Sequence, residues 1–107
     1  MSRDEIPPGT LQLLILKTLD RDGEQHGFEI AGAIQRLSLD VLRVEEGSLY
    51  PALQRLLVKG WVTAAWGQTA ENRRARYYRI TAAGRKQLHA EIAQFERVFG
   101  AIQRVIA

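Results

Sequence analysis

The residues richest in chemistry lie between positions 71 and 79, which read Glu71, Asn72, Arg73, Arg74, Ala75, Arg76, Tyr77, Tyr78 and Arg79. Four arginines fall within seven positions, interleaved with two tyrosines. Guanidinium groups this close repel one another, and an anionic partner relieves the repulsion. Arginines in such a segment clamp phosphates or probe a narrow minor groove. A second set precedes it. Leu49, Leu53, Leu56 and Leu57 share one side of a helical spacing and leave Ser48, Tyr50, Pro51, Gln54 and Arg55 on the other. Ser, Tyr, Gln and Arg hydrogen-bond base edges or phosphates, and a proline ring packs on thymine methyls.

Other chemistries lack their parts. There is no cysteine, so disulfides and thiolate metal sites are excluded. The two histidines, His26 and His89, stand far apart without a carboxylate cluster, so no metal site is expected. No nucleophile–base pair or phosphate-binding glycine loop is visible, so neither enzymatic activity nor a cofactor is expected. His26 precedes a helix and reads as its cap or as a phosphate contact. His89 reads as solvated.

Charge is distributed unevenly. Residues 1–47 carry five Lys/Arg against nine Asp/Glu, residues 48–86 carry eight against one, and residues 87–107 carry two of each. A basic block thus sits between an acidic and a neutral one, which points one face toward a polyanion. A chain of 107 residues, 46% of them apolar, builds one small core and often leans on a partner subunit. The apolar run 11–16 is too short for a signal peptide or a membrane span, so the expected location is cytoplasmic.

The elements that must position these residues follow from pattern. Residues 6–10 (Ile-Pro-Pro-Gly-Thr) break the chain, with Thr10 as the expected cap of a helix over 11–20. That helix is apolar nearly all round and needs cover on more than one side, the second cover being a candidate subunit contact through Leu11 and Leu14. A second helix opens at His26 and Gly27. Glu45-Glu46-Gly47-Ser48 starts a third, with Gly47 or Ser48 near the cap, Pro51 expected in its first turn and Gly60 closing it. Strands are expected over 61–66 and 75–80, forming a hairpin with a basic tip, with Trp61 and Trp66 read as core or edge packing. Thr81 caps a last helix in which Leu88, Ile92, Phe95, Phe99, Ile102 and Ile106 are spaced four, three, four, three and four apart, an unbroken heptad seam.

The fold class is therefore mainly α with a small β-hairpin: a winged helix-turn-helix over residues 1–81 and a long C-terminal dimerisation helix over 82–107. In this arrangement the third helix enters a major groove and the hairpin meets phosphates or the minor groove. DNA contact is assigned to Ser48, Tyr50, Pro51, Gln54, Arg55, Asn72, Arg73, Arg74, Arg76 and His26.

Several stretches carry a family resemblance: residues 10–19 (TLQLLILKTL), 26–30 (HGFEI), 46–53 (EGSLYPAL) and 76–81 (RYYRIT) with Gly84. Over residues 8–88 the chain resembles the PadR family, its Gly-Ser-Leu-Tyr-Pro-Ala-Leu stretch being the most specific part. Phe28 departs from the tyrosine common there. The resemblance implies a winged-helix repressor that dimerises through its last helix and binds inverted-repeat operators in double-stranded DNA, here of the short subtype. It also implies a flat aromatic effector between subunits as the sharper reading of Phe95 and Phe99, beside the plainer one of dimer core. A winged-helix protein-interaction module without DNA binding is the alternative, and the arginine-rich hairpin argues against it.

Overall fold

The computed structural model describes residues 6–7 and 9–107; residues 1–5 and Pro8, the middle of the expected breaker segment, lie outside it. Helix α1 (Leu11–Asp22) buries Ile15, Leu16 and Leu19 completely or nearly so. Thr10 stands before it as expected, but its hydroxyl donates back to the Pro7 carbonyl at 2.7 Å and caps no α1 N–H. Gly23 ends the helix at φ +82°, a conformation that favours glycine.

A two-residue strand, β1 (Gln25–His26), follows and was not legible in the sequence. It pairs antiparallel with β3 (Arg74–Ile80), which pairs on its other side with β2 (Val62–Gln68). The expected hairpin is thus part of a three-stranded sheet of order β1-β3-β2. The buried Gln25 amide donates to the Thr18 carbonyl at 3.1 Å and ties β1 to α1.

Helix α2 (Gly27–Leu37) starts on a reciprocal cap. The Nδ1 of His26 accepts from the Glu29 N–H at 3.3 Å, and the Glu29 carboxylate accepts from the His26 N–H at 3.1 Å. This satisfies two donors that a helix start leaves unpaired. Residues 38–45 then lead to α3 (Glu46–Val58).

The cap of α3 stands earlier than expected. It is Glu45, whose side chain makes no capping bond, so no Ser/Thr signal marks it. Pro51 consequently lies inside the helix rather than in its first turn. Its missing N–H removes the usual donor to the Gly47 carbonyl, and Gly47 is exposed. Leu49, Ala52, Leu53 and Leu56 face the core.

Helix α4 (Ala82–Ile106) is capped by Thr81, whose hydroxyl accepts from the Gly84 N–H at 3.0 Å and donates to the Gly60 carbonyl at 2.8 Å. Its early turns pack into the common core through Gly84 and Leu88. Two polar contacts fix its direction against α1: Arg85 with Asp20 at 3.1 Å, and Gln12 with both Glu91 oxygens at 3.0 Å. The core unites Ile15, Leu16, Leu19, Ile30, Leu49, Leu53, Leu56, Val62, Ile80 and Leu88 from every element except β1.

Candidate nucleic-acid interface

The exposed side of α3 carries Ser48, Tyr50, Pro51, Gln54, Arg55 and Val58, while the leucines opposite are buried or, for Leu57, half-buried. This division follows from the 3.6-residue period. Tyr50 is the least free of the six. Its ring lies against the first residue of α2, with its hydroxyl 2.9 Å and its ring carbons 3.1–3.2 Å from where a Cβ on Gly27 would stand. Glycine at position 27 is what lets the two helices meet there.

The earlier cap of α3 changes the electrostatics of its N-terminus. Ser48 sits in the first turn and not at the cap, and Glu45 and Glu46 flank the helix start. The positive end of the helix dipole is therefore met by the chain's own carboxylates. Past that acidic end the exposed side of α3 continues with Tyr50 and Pro51.

The wing is built from β2, β3 and the loop 69–73. Thr69 closes the loop through its hydroxyl, which accepts from the Arg73 N–H at 3.2 Å. Asn72 takes a left-handed φ of 62°, a conformation asparagine tolerates better than most residues. Side chains alternate across the sheet, and the register pairs Val62 with Ile80, Ala64 with Tyr78 and Trp66 with Arg76 on one face. At the base this face is core: Val62, Tyr78 and Ile80 are buried. Beyond the body the same face carries Trp66, Arg76 and Arg74 into the open.

The four arginines part ways here. Arg74 lies over the Trp66 ring with its guanidinium carbon 4.3 Å from the centroid, and Arg76 stands at 5.9 Å from it. Arg79 points to the other face and pairs with Glu24 at 3.3 Å. Arg73 is exposed at the tip. Trp66 is 60% exposed, so it is not core; it lies on the edge strand β2 and packs there against Arg74, while Trp61, half-buried, packs against the core. A strand's alternation tells which face a residue takes but not how far the strand outruns the body.

Of the two tyrosines, Tyr78 is buried and Tyr77 is half-buried, its hydroxyl donating to the Gln68 carbonyl at 3.1 Å. Burial pushes the Tyr78 phenol above its ordinary 10.0, against the opposite pull of Arg76. The His26 ring stands edge-on to Tyr77 at 5.3 Å. With Nδ1 committed to the α2 cap, His26 has only Nε2 to offer, 3.5 Å from Glu29.

Wing and helix starts enclose a groove of about 1010 Å³. Arg73, Arg74, Arg76 and Trp66 line one wall; His26, Phe28 and Tyr50 line the other. Phe28, in the first turn of α2, is 82% exposed. The arrangement offers cations and aromatic surfaces to an extended polyanion. Among the described residues no cluster of three or more His, Cys, Asp or Glu is placed to hold a metal ion.

A second surface lies on the later turns of α4. Phe95 and Phe99 stack at 5.6 Å with their planes 8° apart, and both are exposed, as are Val98, Ile102, Val105 and Ile106. The seam divides within the chain. Leu88 is fully buried in its own core and Ile92 packs partly against it, so the accessible stripe begins at Phe95. Leu11 and Leu14 are half-buried against the same core. Among the described residues no helix is long and apolar enough to cross a membrane.

Comparison with known proteins places this architecture. Residues 15–90 match the pattern of the Transcriptional regulator PadR-like family. A transcriptional regulator from Clostridium thermocellum is similar in structure, with a TM-score of 0.84, 27% identity, and coverage of 92% of this chain and 95% of that one. Bacillus subtilis PadR, solved in complex with operator DNA, shares the fold at a TM-score of 0.69 and 24% identity, over 81% of this chain and 48% of its own. An uncharacterised protein of Lysinibacillus sphaericus is 29% identical over 98 residues, 92% of this chain and 89% of that protein.

Proposed function

The chain belongs to the Transcriptional regulator PadR-like family, and on that premise we propose that it is a sequence-specific DNA-binding repressor that acts as a cytoplasmic homodimer. The carrying observation is the groove between the wing and the start of α2, with Arg74 and Arg76 on the same open wall as Trp66 and with Tyr50 of α3 among the residues that line it. In this reading α3 lies in the major groove of duplex DNA, where Gln54 offers the paired donor and acceptor that match adenine, and Arg55 takes a guanine edge or a phosphate. Tyr50 lines the groove wall, and Pro51 adds apolar contact. Ser48 takes a phosphate. Arg73, Arg74 and Arg76, with Asn72 shaping the tip, hold the sugar–phosphate backbone or the minor groove. His26 orients the start of α2 at the edge of the same surface. None of these roles involves catalysis.

Dimerisation rests on α4. An apolar stripe of Phe95, Val98, Phe99, Ile102 and Ile106 is more than a small monomer leaves in water, and the heptad spacing suits a second helix. Leu11, Leu14 and Ile92 border the stripe where they remain accessible, and Leu88 anchors it from within. Two copies present two reading helices, which suits an inverted-repeat operator. The stacked Phe95–Phe99 pair is the place for a flat aromatic effector whose binding releases the DNA.

Selection of bound sites from a random duplex pool tests this reading. Enrichment of an inverted repeat with half-sites about one helical turn apart is expected. A pool that returns without any enriched sequence would overturn it.

A further inference from the structure

The arginines of the wing tip differ in how they are held, and the difference centres on one side chain. Trp66 has no role in the core: it is 60% exposed and lies on the part of β2 that outruns the body. A large indole in that position exposes apolar surface unless something covers it. Arg74 lies over part of it, at 4.3 Å from the ring centroid, and Arg76 stands further off, at 5.9 Å, its position on β3 directly opposite Trp66. The cross-strand register sets Arg76 opposite the indole and Arg74 diagonal to it on the same face, so both fall within reach of the ring. Arg79, one pleat away on the opposite face, is held instead by Glu24.

We propose that Trp66 is a positioning residue for DNA binding: its ring holds Arg74 and Arg76 in the orientation that faces the groove lined by the wing, the start of α2 and Tyr50 before DNA arrives. The inference rests on the DNA-binding reading given above. Its physical basis is conformational entropy. A free arginine on a wing gives up its rotamer freedom when it grips a phosphate, and that loss subtracts from affinity. An arginine already stacked on an aromatic face has lost it in the free protein. The stack leaves the edge of the guanidinium, with its N–H donors, free for an oxygen, because cation–π contact uses the face of the group. Glu71 is the one carboxylate on the wing and Glu29 the one on the facing wall, and neither forms an ion pair with Arg74 or Arg76. The two guanidiniums thus stay available to a phosphate.

A double-mutant cycle on duplex DNA, with NMR of the free protein, tests the proposal. Trp66→Ala should weaken binding roughly twofold to fivefold per wing. Trp66→Phe, which keeps a ring under Arg74, should recover most of the loss. The salt dependence of binding should not change in either variant, because every charge remains. In an Arg74→Ala/Arg76→Ala background, Trp66→Ala should cost nothing further. An equal cost with and without the arginines would overturn the proposal, since the ring would then act on the DNA by itself. Unchanged affinity in Trp66→Ala would overturn it too. The free protein supplies a reading independent of DNA: Arg74 side-chain protons should be shifted upfield by the indole ring current and return to ordinary values in Trp66→Ala. Ordinary values in the wild type would overturn the positioning, whereas a wild type with shifted arginines that binds no duplex would overturn only the DNA reading.

Discussion

The Tyr50 hydroxyl lies 2.9 Å from where a Cβ on Gly27 would stand, so the reading helix and its supporting helix meet through an aromatic ring laid on bare backbone. The contact is made at the N-terminal ends of both α2 and α3, beside the groove proposed to take DNA. It sets where the Tyr50 ring points.

Gly27→Ala should therefore act on recognition more than on stability. The displaced group is the far end of a side chain that is 48% exposed and can swing outward. Thermal unfolding should shift by only about 1 kcal/mol or less. Preference for the selected operator over random duplex should fall, as it should in Tyr50→Phe if the hydroxyl makes the contact. A Gly27→Ala protein with unchanged operator preference would detach Tyr50 from base reading.

Gly84→Ala should behave in the opposite way. A Cβ there would come 2.1 Å from the Trp61 carbonyl oxygen and 2.8 Å from Ile80 Cγ1, and the first of these is backbone. Helix α4 would have to lift off the sheet, at a cost of about 3 kcal/mol. Gly32, in an open part of α2 with nothing within 4 Å, is the control. Gly32→Ala should stabilise by roughly 0.5–1 kcal/mol through helix propensity. Denaturant midpoints of the two variants should lie on opposite sides of the wild type.

His26 provides a test of capping against DNA contact. Loss of the cap in His26→Ala should cost about 1 kcal/mol, and His26→Asn should restore most of it, because asparagine caps as well. If His26 also touches DNA through Nε2, His26→Asn will regain stability without regaining affinity. Unfolding and binding curves for both variants separate the two roles.

Much of this was legible because it depends on local rules. The heptad run of α4, the Thr81 cap, the His26–Gly27 helix start and the split of α3 into leucine and polar sides all follow from period and residue type. What was not legible depended on tertiary reach. Strand β1 is two residues long and has no pattern of its own; β3 creates it by offering a free edge. The cap of α3 lies at Glu45 and not at Gly47 or Ser48, and because Glu45 does not cap with its side chain it leaves no signal. The exposure of Trp66 was not legible, because alternation fixes a face and cannot say that the core has ended. The pairing of Arg79 with Glu24 joins residues 55 positions apart, which spacing cannot foresee. Leu88 and Phe95 share one seam in sequence, yet only the second is exposed, because the body of the chain covers the early turns of α4.

If the stripe on α4 joins two copies as proposed, Phe99→Glu should give monomers. The substitution places a carboxylate in the stacked Phe95–Phe99 pair without touching the core, since Phe99 is 48% exposed in the single chain. Sedimentation should report half the mass, thermal unfolding of the winged domain should change little, and operator affinity should fall because two half-sites no longer share one binder. An unchanged dimer would move the interface away from this stripe.

The most direct test of the central claim, that the groove lined by the wing, the start of α2 and Tyr50 grips duplex DNA, is a salt titration of binding for the wild type and for Arg73→Ala, Arg74→Ala and Arg76→Ala. The logarithm of the wild-type affinity should fall linearly with the logarithm of salt concentration, and each variant that loses a phosphate contact should flatten the slope by about one unit per half-site. The same slope in the wild type and all three variants would contradict the assignment of the wing, and a wild-type affinity indifferent to salt would contradict DNA binding by this surface altogether.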